Sequence, residues 1–318
     1  MGQLKKMNPV TILSPGTVAN LVCGFDVLGL ALNDPCDVMT LTFRDEPGLV
    51  IRNFDDYGLP TEPTKNVAGV SLLSLMAALP EPIGFEMAIE KKIKPGSGVG
   101  SSAASAAGAV AAANILLGNI FSKTELVQFA MNGEKLASGV KHADNIAPCL
   151  MGGVTLIRSI HPLDIVPIKP PPLFVTIVHP QIEVRTSDAR QILKKQILLK
   201  DAIRQWGNIA GLVAGLSSGD YNLIGRSLED VIIEPLRSIL IPAFDKVKRR
   251  SLEAGALGGG ISGSGPSIFM LSKDERTAVA VEKEMAAIYD DAGIEYHTYV
   301  TTINNEGVKI VSDEILQP

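Results

Sequence analysis

The sequence predicts an α+β protein of two domains, and three observations carry that prediction. Short alternating runs such as VMTLTF (Val38–Phe43) and FEMAIEKK (Phe85–Lys92) read as half-buried strands. A glycine-serine stretch, PGSGVGSSAAS (Pro95–Ser105), leads straight into an alanine-rich, proline-free segment, Ala103–Leu117, that reads as a helix. The stiff IKPPP (Ile168–Pro172) resists helix and interrupts the pattern in mid-chain. It places the boundary between residues 1–168 and residues 169–318. The order of elements suits a split α+β sandwich better than a doubly wound sheet.

Val10–Leu13 reads as the first strand, Val38–Phe43 as the next and Leu49–Asn53 as a third. Asn66–Leu79 has helical spacing and stops at Pro80-Glu81-Pro82. The strand Phe85–Lys92 puts Phe85, Met87 and Ile89 on one face, before the glycine-serine loop and its helix. Ser122 and Glu125 form a capping box that opens a helix to about Ser138. Gly152–Arg158 reads as a strand after a glycine pair. Past the prolines come a strand at Leu173–His179 and helices at Thr186–Leu199, Ala202–Ser217 and Pro242–Ala254. A second glycine cluster, Gly258–Pro266, precedes a strand at Ser267–Leu271. A helix over Arg276–Asp291 and a strand at Glu295–Thr301 finish the pattern.

Composition narrows the class of function. With 46% hydrophobic and 20% charged residues, the 318-residue chain has material for a sizeable core. The net charge of −5 and the absence of a basic block argue against nucleic acid and anionic membranes. One Trp and five Tyr also argue against base-stacking platforms. Cys23, Cys36 and Cys149 lack metal-type spacing and read as small residues in a reducing compartment. The longest apolar stretch is too short to span a bilayer. Met1-Gly2 resembles a myristoylation start, but position 6 is Lys6. The expected location is the cytoplasm.

A loop of small residues opening a helix is a device for holding phosphate. Its glycines let backbone N–H groups converge, and the helix terminus adds partial positive charge. The plainer reading is a flexible linker, which would not run into so strong a helix former. The chain lacks the GxxxxGK[ST] pattern of a Walker loop. Gly96, Gly98 and Gly100 have the wrong spacing for a dinucleotide fold. What remains is a loop without a lysine of its own, whose donors are amides. A nucleoside triphosphate there needs a divalent cation on a hydroxyl and a carboxylate.

These residues resemble the central motif of the GHMP small-molecule kinases, P-x-x-x-G-L-G-S-S-A-x. Here Pro95 stands one residue closer and Val99 replaces Leu. SPGTVANLVCGFDVLGLAL (Ser14–Leu32) resembles the family's N-terminal motif and GALGGGISGSGPSIF (Gly255–Phe269) its C-terminal one. GVKHADNIAPCLMGG (Gly139–Gly153), TSDAR (Thr186–Arg190) and IIEPLRSILIPAF (Ile232–Phe244) are similar to segments of the branch that acts on homoserine. The resemblance implies an N-terminal domain like ribosomal protein S5 domain 2 and a ferredoxin-like C-terminal domain. It implies ATP- and Mg²⁺-dependent phosphorylation of the hydroxyl of L-homoserine to O-phospho-L-homoserine, on the route to threonine. Members of the family are often homodimers.

The resemblance also implies roles. The loop Pro95, Gly96, Ser97, Gly98, Val99, Gly100, Ser101, Ser102, Ala103, Ala104 and Ser105 would bind ATP, with Asn66 near the adenine. Ser102 and Glu134 would hold Mg²⁺. Asp26 would take the substrate ammonium, and Arg190 and Arg237 its carboxylate, for which a guanidinium fork is suited. Asn20, Asn145 and His142 would orient it. Each residue has a plainer reading alone. Asp26 would cap a turn after Gly24, the arginines and Glu134 would face solvent, and His142 would be structural. Ser262 and Ser264 would serve only their turns. In sister kinases a catalytic Asp stands seven residues before the Gly-Gly pair, and that position is Asn145 here. An amide takes no proton at neutral pH, so transfer without a protein base is expected, with Asp144 as the nearest alternative. Another GHMP kinase and a nucleotide-binding sensor are the competing functions. A dinucleotide oxidoreductase is disfavoured by the glycine spacing.

Overall fold

The computed structural model describes residues 8–184 and 186–311, so the Met1-Gly2 start lies outside the described residues. The chain begins with β1 (Val10–Ala19), β2 (Leu28–Arg44), β3 (Gly48–Asn53), α1 (Val67–Met76), β4 (Gly84–Glu90), α2 (Ser101–Leu116) and α3 (Lys123–Ser138). Then come α4 (Ile146–Met151), β5 (Val154–Ile160) and β6 (Leu163–Ile168). Beyond the prolines lie β7 (Phe174–Pro180), α5 (Thr186–Gln191), α6 (Leu199–Ser218), α7 (Tyr221–Ser227), α8 (Glu234–Arg237) and α9 (Phe244–Glu253). The last elements are β8 (Gly258–Ile261), β9 (Ile268–Ser272), α10 (Glu275–Ala292), β10 (Tyr296–Thr302) and β11 (Lys309–Ile310).

The strands make two sheets. The larger runs β11-β1-β2-β4-β3, with β5 also on β2 and β6 on β5. Among its described strands only β3 and β4 run parallel. The smaller sheet is antiparallel, in the order β10-β7-β9-β8. Long β2 serves two partners: Leu28–Leu30 pair with β5 and Val38–Arg44 with β4. Strand β11 brings the end of the described chain back to β1.

Helix α2 explains the alanine-rich run. Fourteen of its sixteen residues are buried, so it has no solvent face, and alanines let its neighbours close in from every side. Gly108 passes against Met39 and Ser14, where a methyl group would collide. One apolar cluster joins α1, α2 and α3 to the first sheet. A second contains Leu30 and Leu32 of β2 together with Val175 of β7 and Phe269 of β9, so both sheets share a core. A third packs α9 and α10 on the small sheet.

The expected helix over Thr186–Leu199 stops at Gln191. Ile197 and Leu198 beyond it are exposed, so the stretch gains no apolar contact to stabilise a helix. Gly258–Ile261, expected as a loop, is a strand. It lies so close to its neighbours that a Cβ at Gly259 would meet Met270, and one at Gly260 the carboxylate of Glu234.

Candidate active site

The glycine-serine loop spans the gap between β4 and α2. Gly96, Gly98 and Gly100 all have positive φ (77°, 82° and 68°), which a side chain would strain. Gly98 also has no room: a Cβ there would lie 2.6 Å from the carbonyl oxygen of Gly265 and 2.8 Å from that of Ser262. The second glycine cluster is therefore the clamp on the first. Ser262 Oγ donates to the Gly98 carbonyl at 2.7 Å, and Ser267 Oγ to the Ser97 carbonyl at 2.7 Å. Ser262 thus does more than shape its own turn.

The loop edges a cavity of about 470 Å³ that also reaches β1, α1, α3, α5 and α8. Pro95, Gly96, Gly98, Gly100, Ser101, Ser102 and Ser105 line it. Ser97, Val99, Ala103 and Ala104, expected in the same role, do not. Their side chains are buried in the core behind the loop, where Val99 packs with Val18 and Ile93. Asn66 lines the cavity, but both ends of its amide are engaged. Oδ1 caps α1 through Gly69 N (3.2 Å), and Nδ2 donates to Pro60 O (2.7 Å).

Ser102 Oγ donates to Glu134 Oε2 at 2.8 Å. Glu134 owes its place to Gly133, where α3 presses on Val67 and Ser71 of α1 too closely for a side chain. Burial pushes the Glu134 carboxyl up to about 7, against the Ser102 hydrogen bond that lowers it. A hydroxyl and a carboxylate together are a hard-oxygen donor pair, the kind Mg²⁺ takes while keeping several waters. No group of three His, Cys, Asp or Glu suited to a metal occurs among the described residues.

The rest of the polar lining is a charge cluster. Residues Asn20, Leu21, Val22 and Asp26 hold positive φ in the turn between β1 and β2, which turns Asp26 into the cavity. Asn20 Oδ1 accepts from Asp26 N at 3.0 Å, and its Nδ2 donates to Gly263 O at 2.9 Å. Arg190 Nη2 donates to both Asp26 oxygens, at 3.0 and 3.3 Å. His142 touches both partners, 2.9 Å from Arg190 Nη2 and 3.6 Å from Asp26 Oδ1. Burial lowers the His142 pKa, and the arginines add to that while Asp26 opposes it. Arg237 is buried, with Nε on Ala189 O at 2.8 Å and Nη1 on Gly263 O at 3.3 Å. Burial and then the Arg190 charge push Arg237 down to about 10.

Arg190 Nε is buried with no hydrogen-bond partner among the described residues. A buried donor left bare costs free energy that an anionic ligand would recover. The cluster therefore presents an acid and two guanidiniums within one wall, complementary to a small zwitterion.

Apart from Ser97, Val99, Ala103 and Ala104, the residues expected from the sequence come together around the cavity, and others join them. Phe25 carries both guanidiniums against its ring, at 4.9 Å for Arg237 and 5.5 Å for Arg190. Thr17 Oγ1 donates to Asn145 Oδ1 at 2.8 Å and fixes that amide. Asp144, set aside on register, lines the same cavity as Asn145. Burial, then the charges of Asp26 and Glu134, push its carboxyl up to about 7. Its place between His142 and Asn145 in the HxDN segment was the available signal.

Residues 66–153 match the family described as GHMP kinases N terminal domain, and residues 212–291 match GHMP kinases C terminal. The chain belongs to the GHMP kinase family. A homoserine kinase of Chloroherpeton thalassium is 46% identical, over 96% of this chain and 100% of that protein. A homoserine kinase of Methanocella arvoryzae is 39% identical, over 96% and 98%. Among solved structures, a homoserine kinase from Cytophaga hutchinsonii superposes with a TM-score of 0.92 at 48% identity, over 96% of this chain and 98% of that one. A mevalonate kinase of L. major shares the fold at 17% identity, with a TM-score of 0.70 over 94% and 97%.

Proposed function

We infer that the chain phosphorylates L-homoserine with ATP, giving O-phospho-L-homoserine and ADP, a step of threonine biosynthesis. The identity to homoserine kinases over 96% of the chain supports this activity. The observation that carries it is the joining, in one cavity, of a glycine phosphate loop and a cluster complementary to an amino-acid zwitterion.

In this reading the loop amides and the N-terminus of α2 receive the triphosphate. Ser102 and Glu134 would hold Mg²⁺, whose charge offsets that of the phosphates when bound. Asp26 takes the substrate ammonium. Arg190 and Arg237 take the carboxylate, Arg190 gaining a partner for its bare Nε. Asn20, His142 and Asn145 orient the substrate. The homoserine oxygen forms its bond to the γ-phosphorus as the bridging P–O bond to ADP breaks, and the hydroxyl proton passes to a phosphate oxygen or water. The loose transition state asks chiefly for positioning and charge, which these residues provide. A second reading makes Asp144 the base, because a carboxyl near 7 is well poised to accept a proton.

The three cysteines are free, which suits a reducing cytoplasm. No helix of the described residues is long and apolar enough to cross a membrane. A homodimer, as the resemblance implies, is part of the proposal and is checked by light scattering. Arg190→Leu tests the substrate site. The KM for homoserine is expected to rise about 100-fold, since a charge-assisted contact is worth about 2–3 kcal/mol, with the KM for ATP unchanged. Equal increases in both constants would mean the carboxylate binds elsewhere.

A further inference from the structure

Lys91 lies beneath the phosphate loop, just after β4, and its side chain is 1% exposed. Its ammonium is paired with the carboxylate of Asp37, which is fully buried. The same nitrogen donates to the carbonyl of Ser101 at 2.8 Å and to Ser105 Oγ at 3.0 Å. The other Asp37 oxygen accepts from Lys92 N at 2.8 Å and Ile93 N at 2.9 Å. Ser101 Oγ in turn donates to Ile93 O at 2.8 Å. The pair thus ties β2, the start of the loop and the first turn of α2 into one network.

Two features make this an unusual place for a cation. A buried ion pair contributes little to stability compared with apolar residues of the same volume. And the N-terminus of a helix is already positive, so carboxylates usually stand there. The first turn of α2 holds no acidic residue, yet it has an ammonium against its first carbonyl. Such an arrangement becomes favourable when an anion arrives on the open side of that turn.

We propose that Lys91, neutralised by Asp37 while the site is empty, is the positioning residue of the triphosphate site. It fixes Ser101 and Ser102 at the mouth of α2 and sets a buried positive charge behind the loop amides. The loop lacks a lysine in its own sequence, and the residue that follows β4 supplies one from below. Lys91 also borders the cavity, but its ammonium is spent on Asp37, Ser101 O and Ser105 Oγ, so it acts through the first turn of the helix. The inference rests on the loop being the ATP site. If the unaltered enzyme bound no Mg-ADP, that reading would fall first.

The test removes the charges as a pair. Asp37→Asn/Lys91→Met keeps shape and leaves no lone buried charge, so its unfolding temperature should stay near that of the unaltered protein. Mg-ADP affinity by calorimetry and the KM for ATP should weaken about tenfold or more, while the KM for homoserine holds. Unchanged nucleotide affinity in the paired variant would make the ion pair purely architectural and overturn the proposal. Should the paired variant not fold, Lys91→Met at low temperature decides. A lower folded fraction alone reduces the total rate with both KM values intact, which contradicts the proposal. A rise in the KM for ATP alone supports it.

Discussion

Replacing Gly98 by alanine probes how the two glycine segments build the triphosphate site. Gly98 has φ of 82°, so any side chain starts with a left-handed cost of about 1–2 kcal/mol. Its Cβ would also lie 2.6 Å from Gly265 O and 2.8 Å from Ser262 O, both backbone atoms. Those carbonyls cannot yield freely, because Gly265 N holds Ser262 O at 2.9 Å and Ser262 Oγ holds Gly98 O. Overpacking of this kind adds about 1–3 kcal/mol, for a total of about 2–5 kcal/mol. The loop relieves it by moving away from its clamp, and misplacement by about 1 Å costs about 100-fold in rate. Gly118, at the other end of α2, is the control. Its φ is 79° but no atom of the described residues lies within 4 Å of a Cβ there, so Gly118→Ala carries the backbone cost alone. That lowers the unfolding temperature by about 2–8 °C and leaves nucleotide binding alone. Calorimetric titration with Mg-ADP, thermal unfolding and the KM for ATP read both variants. Gly98→Ala binding Mg-ADP as well as Gly118→Ala does would refute the clamp.

Asp144→Asn separates the two readings of proton transfer. Direct attack without a protein base predicts kcat within about threefold of the unaltered enzyme, whereas a general base would cost about 100-fold or more with KM intact. His179 governs part of the pH dependence of stability. Burial, then Lys94 and His297, push its pKa down to about 4. The folded value lies below the unfolded one of about 6.5, so its contribution is complete above that pH and is lost as pH falls towards 4. At about pH 5 the loss amounts to about 2 kcal/mol. Urea unfolding at about pH 7.5 and about pH 5 should show a smaller difference for His179→Gln. An identical difference would place the titration elsewhere.

The elements most legible in the sequence were those with local chemistry. The Ser122–Glu125 capping box is present with both of its hydrogen bonds, and it opens α3 where expected. The loop before α2 was visible because glycines at positive φ and small residues carry their own signal. The site residues were legible through motif spacing. Lys91 was not. In an alternating strand it reads as a solvated charge, and the Asp37 that draws it inward stands 54 residues away. Phe25 was hidden for a similar reason: Arg190 and Arg237, which stack on it, come from α5 and α8. Asp144 was set aside because register locates a role in a motif but says nothing of burial.

The fate of the phosphoryl group decides what this chain does. The direct measurement incubates the enzyme with Mg-ATP and L-homoserine, mevalonate or galactose in parallel, and follows ADP together with the ³¹P spectrum of the products. The expected result is ADP release with L-homoserine alone, matched mole for mole by a phosphomonoester on its side-chain oxygen. ADP accompanied by inorganic phosphate, or release that ignores homoserine, would contradict it.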